Sequence, residues 1–435
     1  MVATSRTVRR TYLTLVLLNA LAVSFIWGIN SLLLFQAGLS NTEALAANAC
    51  FTLGYALFEV PTGTIADTWG RRTSYLLGGL MLFATTLLYW LAWRVHAGVA
   101  VWAGVSILLA AGFTCFSGAT DAWLVDALHF LRWPGRLETV FARAQVYGGV
   151  GTLAGSLAGA WLAQLTDVGM PFLVRAGLLL ALTVVAWRLM HDIGFTPRPA
   201  GSPLRAMRRV LDASIRSGWR RPALRWVMLG AFVAAGIGYF VAFVQKPYLL
   251  QLAGDQQAYG LLGVSAALTS AAQMLGGLLA GRFRSLFRWR VSVLLTGVLL
   301  NAALLTGLGL VGRLPVAMAM LAGNSLVSAG VLPSRQAYLN ELIPAGERAT
   351  VLSFDSMVGS CGGVVTQPLL GRAADMWDYP AAFVLAGLLQ LVAVPLLLRA
   401  RWYENGRLTA GPPPGTRTRR TPRPSCPPTP SRARE

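Results

Sequence analysis

Apolar runs of about 20 residues recur along this chain from Tyr12 to Arg399, separated by short polar links. As helices, such runs cover ~30 Å, the thickness of a bilayer's hydrocarbon core. They are continuous and do not alternate with a period of two, which excludes a transmembrane barrel and leaves a helical bundle. Composition agrees, since 55% of the 435 residues are hydrophobic and 12% charged, about half the charged share of a soluble protein.

Twelve spans are expected, near residues 12–35, 43–66, 73–93, 98–122, 142–165, 171–190, 224–250, 258–281, 290–311, 315–338, 350–372 and 379–400. They divide into an N-terminal bundle over 1–190, a basic linker over 191–223 and a C-terminal bundle over 224–402. The tail 403–435 is dominated by Pro, Arg, Ser and Thr. It cannot build a core and is expected to be disordered. The basic N-terminus followed by an apolar run looks like a signal peptide, but the run to about Phe35 is too long and reads as the first span. Cys50, Cys115 and Cys361 fall in spans and Cys426 in the tail, so free thiols are expected rather than a disulfide framework.

The formal charge of +20 does not indicate a nucleic-acid partner, because its placement follows membrane topology. Arg6, Arg9 and Arg10 precede the first span, Arg71 and Arg72 follow the second, Arg132 and Arg136 follow the fourth, and many Arg fill the middle loop and tail. The alternate links Gln36–Asn41, Thr166–Met170 and Gly254–Tyr259 contain no Lys or Arg. By the positive-inside rule both termini are expected to be cytoplasmic, in an inner or plasma membrane.

The halves look duplicated. A shift of about 211 positions pairs Thr139-Val140 with Thr350-Val351, Gly148 with Gly359, Gly151 with Gly362, Asp167 with Asp378 and Phe172 with Phe383. Repeated bundles place a substrate cavity at their interface and expose it to each side in turn by rocking.

The link after the second span reads Gly63-Thr-Ile-Ala-Asp67-Thr-Trp-Gly70-Arg71-Arg72. It closely resembles the signature loop between helices two and three of the major facilitator superfamily, and with the six-plus-six layout the resemblance covers residues 10 to 402. The resemblance implies twelve transmembrane helices in two pseudo-symmetric bundles and alternating-access transport of a small solute, usually coupled to a proton or substrate gradient. A second stretch, Gly151-Thr-Leu-Ala-Gly155-Ser156-Leu-Ala-Gly159-Ala160, is similar to the fifth-helix glycine motif of the antiporter branch. Ser156 and Ala160 depart from its Pro and terminal Gly, no fourth-helix Arg motif is evident, and Asp121 and Asp126 occupy that region. In the family, the acid matching Asp67 contacts the start of helix eleven, here near Ala349–Val351. An Asp67–Arg71–Asp126 network would hold the outward-facing state and break when the cytoplasmic side opens, with Gly63 and Gly70 shaping the loop. The second half keeps only a trace of this loop, Gly277-Leu-Leu-Ala-Gly281-Arg282, so the latch is expected mainly on the first.

Other residues carry two readings each. Glu59 lies inside the second span, eight residues before Asp67 and so about 12 Å deeper. An acid at that depth is either a proton carrier, since desolvation favours its protonated form, or a structural hydrogen-bonding group beside Pro61. Lys246, the only lysine, and Arg175 either bind an anionic group or snorkel to the outer headgroups. Asn30, Gln145, Gln273, Asn301, Asn324 and Gln367 are substrate-cavity candidates, with Trp27, Phe58 and Tyr239 as aromatic surface. Polar side chains in spans also glue helices together. Arg335, Glu341, Glu347, Arg348 and Asp355 could mirror the first-half latch.

The expected function is proton-coupled efflux of a small amphipathic or drug-like solute by a monomer embedded in lipid. Nutrient symport, and a membrane scaffold or enzyme that does not transport, are the alternatives. No cofactor or metal is expected, since His96, His129 and His191 are scattered and no Gly-Lys-Ser/Thr phosphate loop occurs.

Overall fold

The computed structural model describes residues 4–116, 119–195, 221–343 and 348–409, with isolated positions between 196 and 220. The described residues form fifteen helices and no strands. In lipid no water satisfies backbone groups, so each segment closes its own hydrogen bonds. Helices α1 (Ser5–Ser24) and α2 (Asn30–Gln36) make the first span, α3 (Asn41–Trp69) the second and α4 (Arg71–Arg94) the third. α5 (Val99–Phe116) and α6 (Ala119–Phe130) make the fourth, α7 (Leu137–Leu165) the fifth and α8 (Met170–Leu189) the sixth. The second half follows with α9 (Pro222–Ala253), α10 (Tyr259–Ser285), α11 (Arg290–Leu310), α12 (Leu314–Leu342) and α13 (Arg348–Met376). α14 (Tyr379–Gln390) and α15 (Ala393–Thr409) complete the twelfth span. Nine of the described helical segments are both long and apolar enough to cross a bilayer on those grounds alone. The first, fifth and eleventh spans complete the dozen.

Three features depart from the expected spans. The first is not one helix: between Ser24 and Asn30 the backbone tightens into three-residue bonds, Trp27 N–H to the Ser24 carbonyl and Ile29 N–H to that of Ile26. The fourth continues to Phe130, which brings Asp126 into the helix. The twelfth breaks at Leu391-Val392 because Pro395 has no N–H to give the carbonyl four residues back. It then runs to Thr409, past the expected boundary at 402; the remaining tail and most of the linker lie outside the described residues.

Packing repeats between the halves. In the first, the second span packs on the fourth, the first on the fifth, and the third on the fourth and sixth. In the second, the eighth packs on the tenth, the seventh on the eleventh, and the ninth on the tenth and twelfth. The glycines paired by the 211-residue shift do the same work in both places. A Cβ at Gly151 would press on the Leu17 carbonyl of the first span, and one at Gly362 on the Phe232 carbonyl of the seventh. Gly155 and Gly159 meet the Leu21 and Phe25 carbonyls in the same way, so this stripe packs helices within a half rather than between halves. Cys50, Cys115 and Cys361 are free.

Candidate functional site: the contacts between the halves

The second span with the eleventh and the fifth with the eighth make the main contacts between the halves, and α2 also touches α9. All the hydrogen bonds described between the halves lie at or toward the Arg-poor face. Asp375, one residue from the end of α13, accepts from both backbone and side chain at the start of α3. Its carboxylate takes Asn41 N–H at 2.9 Å, Asn41 Nδ2 at 2.9 Å, Thr42 N–H at 2.8 Å and the Thr42 hydroxyl at 2.5 Å. The first N–H groups of a helix have no partner in their own helix and favour an anion, so Asp375 caps α3 from the other half. Tyr379 donates to Asn41 Oδ1 at 2.9 Å, and Ser40 with Glu43 forms a capping box on the same turn.

Around this clasp, Gln36 donates to the Tyr259 hydroxyl at 2.8 Å, and Gly260 N–H donates to Gln164 at 3.1 Å. Deeper, Asn48 donates to Gln367 at 2.5 Å, and Gln367 donates in turn to Thr52 at 3.2 Å. Phe35 and Phe243 meet edge to face across the halves at 6.1 Å. The apolar core has the same shape. One cluster joins the first half to the Arg-poor part of the second, including Phe240, Tyr248, Leu370 and Phe383. A separate cluster, containing Leu224, Met228, Val291, Val351 and Phe354, belongs to the basic end of the second half alone.

At the basic face the signature loop is built entirely within the first half. Gly70 sits at φ +105°, a region that favours glycine, and joins α3 to α4 with a tight turn. The Asp192 carboxylate fills the space where a Cβ would stand and accepts Arg72 N–H at 2.9 Å. The Arg72 guanidinium donates to the Trp187 carbonyl at the end of the sixth span, so it ties helices together as well as anchoring topology. Arg71 bridges Asp67 at 2.7 Å and Asp126 at 3.6 Å. Asp67, Arg71 and Asp126 are therefore together, and among the described residues the Asp67 carboxylate faces Arg71. Val351 is buried in the second half's own cluster. The network is intact in the conformation in which the hydrogen bonds described between the halves gather at the Arg-poor face. The side chains of Arg348, Ala349 and Thr350, at the start of the eleventh helix, lie outside the described residues. Gly63 is exposed and a Cβ there would meet nothing within 4 Å.

The second half carries more of a latch than its sequence trace suggested. Arg290 at the start of the ninth span bridges Glu341 at the end of the tenth at 2.6 Å, the counterpart of Arg71–Asp126. Arg335 and Asp355 form a further pair at 2.6 Å, with Asp355 buried. Glu347 and the Arg348 side chain lie outside the described residues.

Glu59 is half-buried on α3 and its carboxylate has no partner among the described residues. The cavity candidates separate. Asn301 and Asn324 line a cavity of ≈ 350 Å³ inside the C-terminal bundle, with Ser328, Arg335 and Gln390. Gln367 belongs to the closed contact between the halves instead. Gln145 and Gln273 are exposed, and Asn30 is half-buried at the start of α2. Gln145 lies three turns before Ser156, on the face of α7 that meets Gly263 of the other half. Trp27 is exposed, and Tyr239 packs on Gly363. Arg175 is only 2% exposed and Lys246 9%, so neither extends to the protein surface and the snorkelling reading fails for both. Arg175 lies 5.9 Å from the Phe113 ring, and Lys246 has no acidic partner among the described residues.

Sequence reasoning missed Asp375, Asp192 and the Asn48–Gln367–Thr52 chain. A signal for the first was present: like Asp67, Asp375 stands within two residues of its helix's last residue. Two packed helices running in opposite directions bring each such acid to the other's N-terminus.

The chain is thus a helical membrane protein of two six-helix repeats, hydrogen-bonded to each other at one face. The family model described as Major Facilitator Superfamily matches residues 12–309 and 247–430, and the chain belongs to that superfamily. The solved nucleoside transporter NupG shares 12% identity and a TM-score of 0.73, over 91% of this chain and 99% of that one. A bacterial homologue of the human lysosomal transporter Spinster, inward-facing and unoccupied, shares 15% at a TM-score of 0.70, over 93% and 98%. A peptide transporter of the POT family bound to sulfate shares 14% at 0.72, over 93% and 99%. These likenesses describe the fold. Family membership makes the protein a multi-pass membrane transporter of the secondary type, not an enzyme.

Proposed function

We propose that the protein exports a small amphipathic solute in exchange for protons, and that the conformation described here is the one open to the cytoplasm. The observation that carries this reading is the confinement of cross-half hydrogen bonds to one face. A transporter that alternates must hold one end while freeing the other. The closed end is the Arg-poor one, which the positive-inside rule assigns to the outside of an inner or plasma membrane. Both termini are then cytoplasmic, and the working unit is a monomer whose two halves supply the whole path.

In this reading Asp67 and Asp375 are alternating clasps on one helix pair. Asp375 holds the start of α3 when the cytoplasmic side is open. When that side closes, the start of α13 reaches Asp67, and the bare surface at Gly63 receives it. Arg71 and Asp126 keep Asp67 in place throughout. Glu59 carries the proton: it lies two turns deeper than Asp67, half-buried and without a charged partner among the described residues.

Proteoliposomes with an imposed pH gradient test the coupling. Glu59→Gln is expected to abolish proton-driven accumulation while sparing exchange of labelled substrate for unlabelled. Accumulation at the wild-type rate in that variant would remove Glu59 from the mechanism. The direction is tested in cells: a rise in tolerance to toxic amphipathic compounds on expression supports export, and nutrient-dependent growth contradicts it.

A further inference from the structure

We infer that the first half holds a binding pocket for small organic cations, organised by Asp121, between its first, third and fourth spans. A cavity of ≈ 250 Å³ lies between the first, third and fourth spans, lined by Leu15, Val16, Asn19, Tyr75, Thr120 and Asp121 with Ala20 and Phe116. Asp121 is exposed, accepts a hydrogen bond from the Tyr12 hydroxyl at 2.8 Å and has no cationic partner among the described residues. Tyr75 is only 1% exposed, and its hydroxyl has no hydrogen-bond partner although it lines the cavity. A buried hydroxyl without a partner loses its hydration uncompensated, so a polar group in this cavity would satisfy it. Asn19 and Thr120 add polar groups to otherwise apolar walls, and the Tyr75 and Phe116 ring centroids lie 4.2 Å apart.

Comparison with the second half sharpens the chemistry. The ≈ 350 Å³ cavity there occupies the corresponding place, and the 211-residue shift carries Val16, Asn19 and Ala20 onto its lining residues Val227, Gly230 and Ala231. Its charged group is Arg335, already neutralised by Asp355 at 2.6 Å. The first-half pocket has its charge and lacks the counter-ion. An acid with only a tyrosine donor, beside a free hydroxyl, an amide and aromatic walls, fits an ammonium on a small apolar body. One such ion supplies the missing charge, donates to Asp121 and packs on Phe116.

This rests on the transport reading only insofar as the amine is taken to be cargo, so binding and flux are measured separately. The full-length chain in lipid nanodiscs is titrated with 2-phenylethylammonium, its neutral analogue 2-phenylethanol and the anion 3-phenylpropionate. The ammonium is expected to bind at least about tenfold more tightly than the alcohol, the range of one charge-assisted hydrogen bond, and the anion least. Asp121→Asn should erase that preference and leave alcohol binding unchanged. Asn19→Leu, which fills the pocket without touching the acid, should weaken both and guards against a folding failure of the first variant. Equal binding of ammonium and alcohol, no binding of the ammonium, or a preference that survives Asp121→Asn would overturn the proposal. Ammonium binding without flux in vesicles would leave the pocket standing and remove the transport reading. Flux that ignores Asp121 would do the reverse.

Discussion

The second and eleventh spans run antiparallel against one another, and their two ends behave differently. At the Arg-poor end Asp375 closes four hydrogen bonds onto Asn41 and Thr42 of the opposite half. At the basic end Asp67, two residues from the end of its own helix, turns to Arg71 of its own half. The difference does not lie in the chemistry, which offers an acid and an opposing helix start at both places. In the proposed cycle it lies in the distance the two halves keep, which a rocking motion would exchange from one end to the other. One helix pair would then carry two similar anion clasps, engaged one at a time.

The largest effect is expected from removing the engaged clasp. Asp375→Ala loses all four bonds and leaves the first N–H groups of α3 without their anion. Charge-assisted bonds are worth about 1.5–3 kcal/mol each before solvent exposure discounts them. A net loss of ~1.4 kcal/mol already shifts a two-state balance tenfold. Spin-label distances across the Arg-poor face should therefore show a second, longer population at least tenfold more abundant than in the wild type. An unchanged distribution would mean that the clasp is a bystander.

Gly63→Leu should come next. It adds bulk where the present state has open space, so stability and the basic-open population should stay near wild type. Flux should fall at least several-fold because the basic face can no longer close. Full turnover with a leucine there would show that no helix ever approaches Gly63. A smaller effect is expected at the second-half counterpart of the loop network. Arg290 and Glu341 are partly exposed, and pairs of that kind contribute about 0–1 kcal/mol. Glu341→Gln should shift the melting temperature by no more than a few degrees and leave substrate exchange intact. A loss as large as that of Asp375→Ala would overturn the ranking of the two faces.

Much of the fold was legible because membrane helices announce themselves by length and apolarity. The twelve runs follow from that pattern, and the doubling appears in the repeated packing of the two halves. What escaped was local: the turn between Ser24 and Asn30 depends on how the Phe25 carbonyl meets Gly159, a contact that no window of sequence contains. The site was legible where a loop signature packs its chemistry into ten residues, as Asp67, Gly70 and Arg71 do. Asp375 escaped because its partners, Asn41 and Thr42, lie more than 330 residues away. Lys246 and Arg175 escaped for another reason. Their positions near span ends suggested a route to the surface, and only the packing of neighbouring helices reveals that it is closed.

The central claim is that the two faces open and close in opposition. The most direct measurement places spin labels in pairs on a chain freed of its own cysteines, Leu165 with Gln256 at the Arg-poor face and Trp69 with Leu286 at the basic face. Distances are compared in wild type and in Asp375→Ala. The account predicts that the variant lengthens the first distance and shortens the second in the same population. A first distance that lengthens while the second stays fixed would contradict it, because the halves would then be separating rather than rocking.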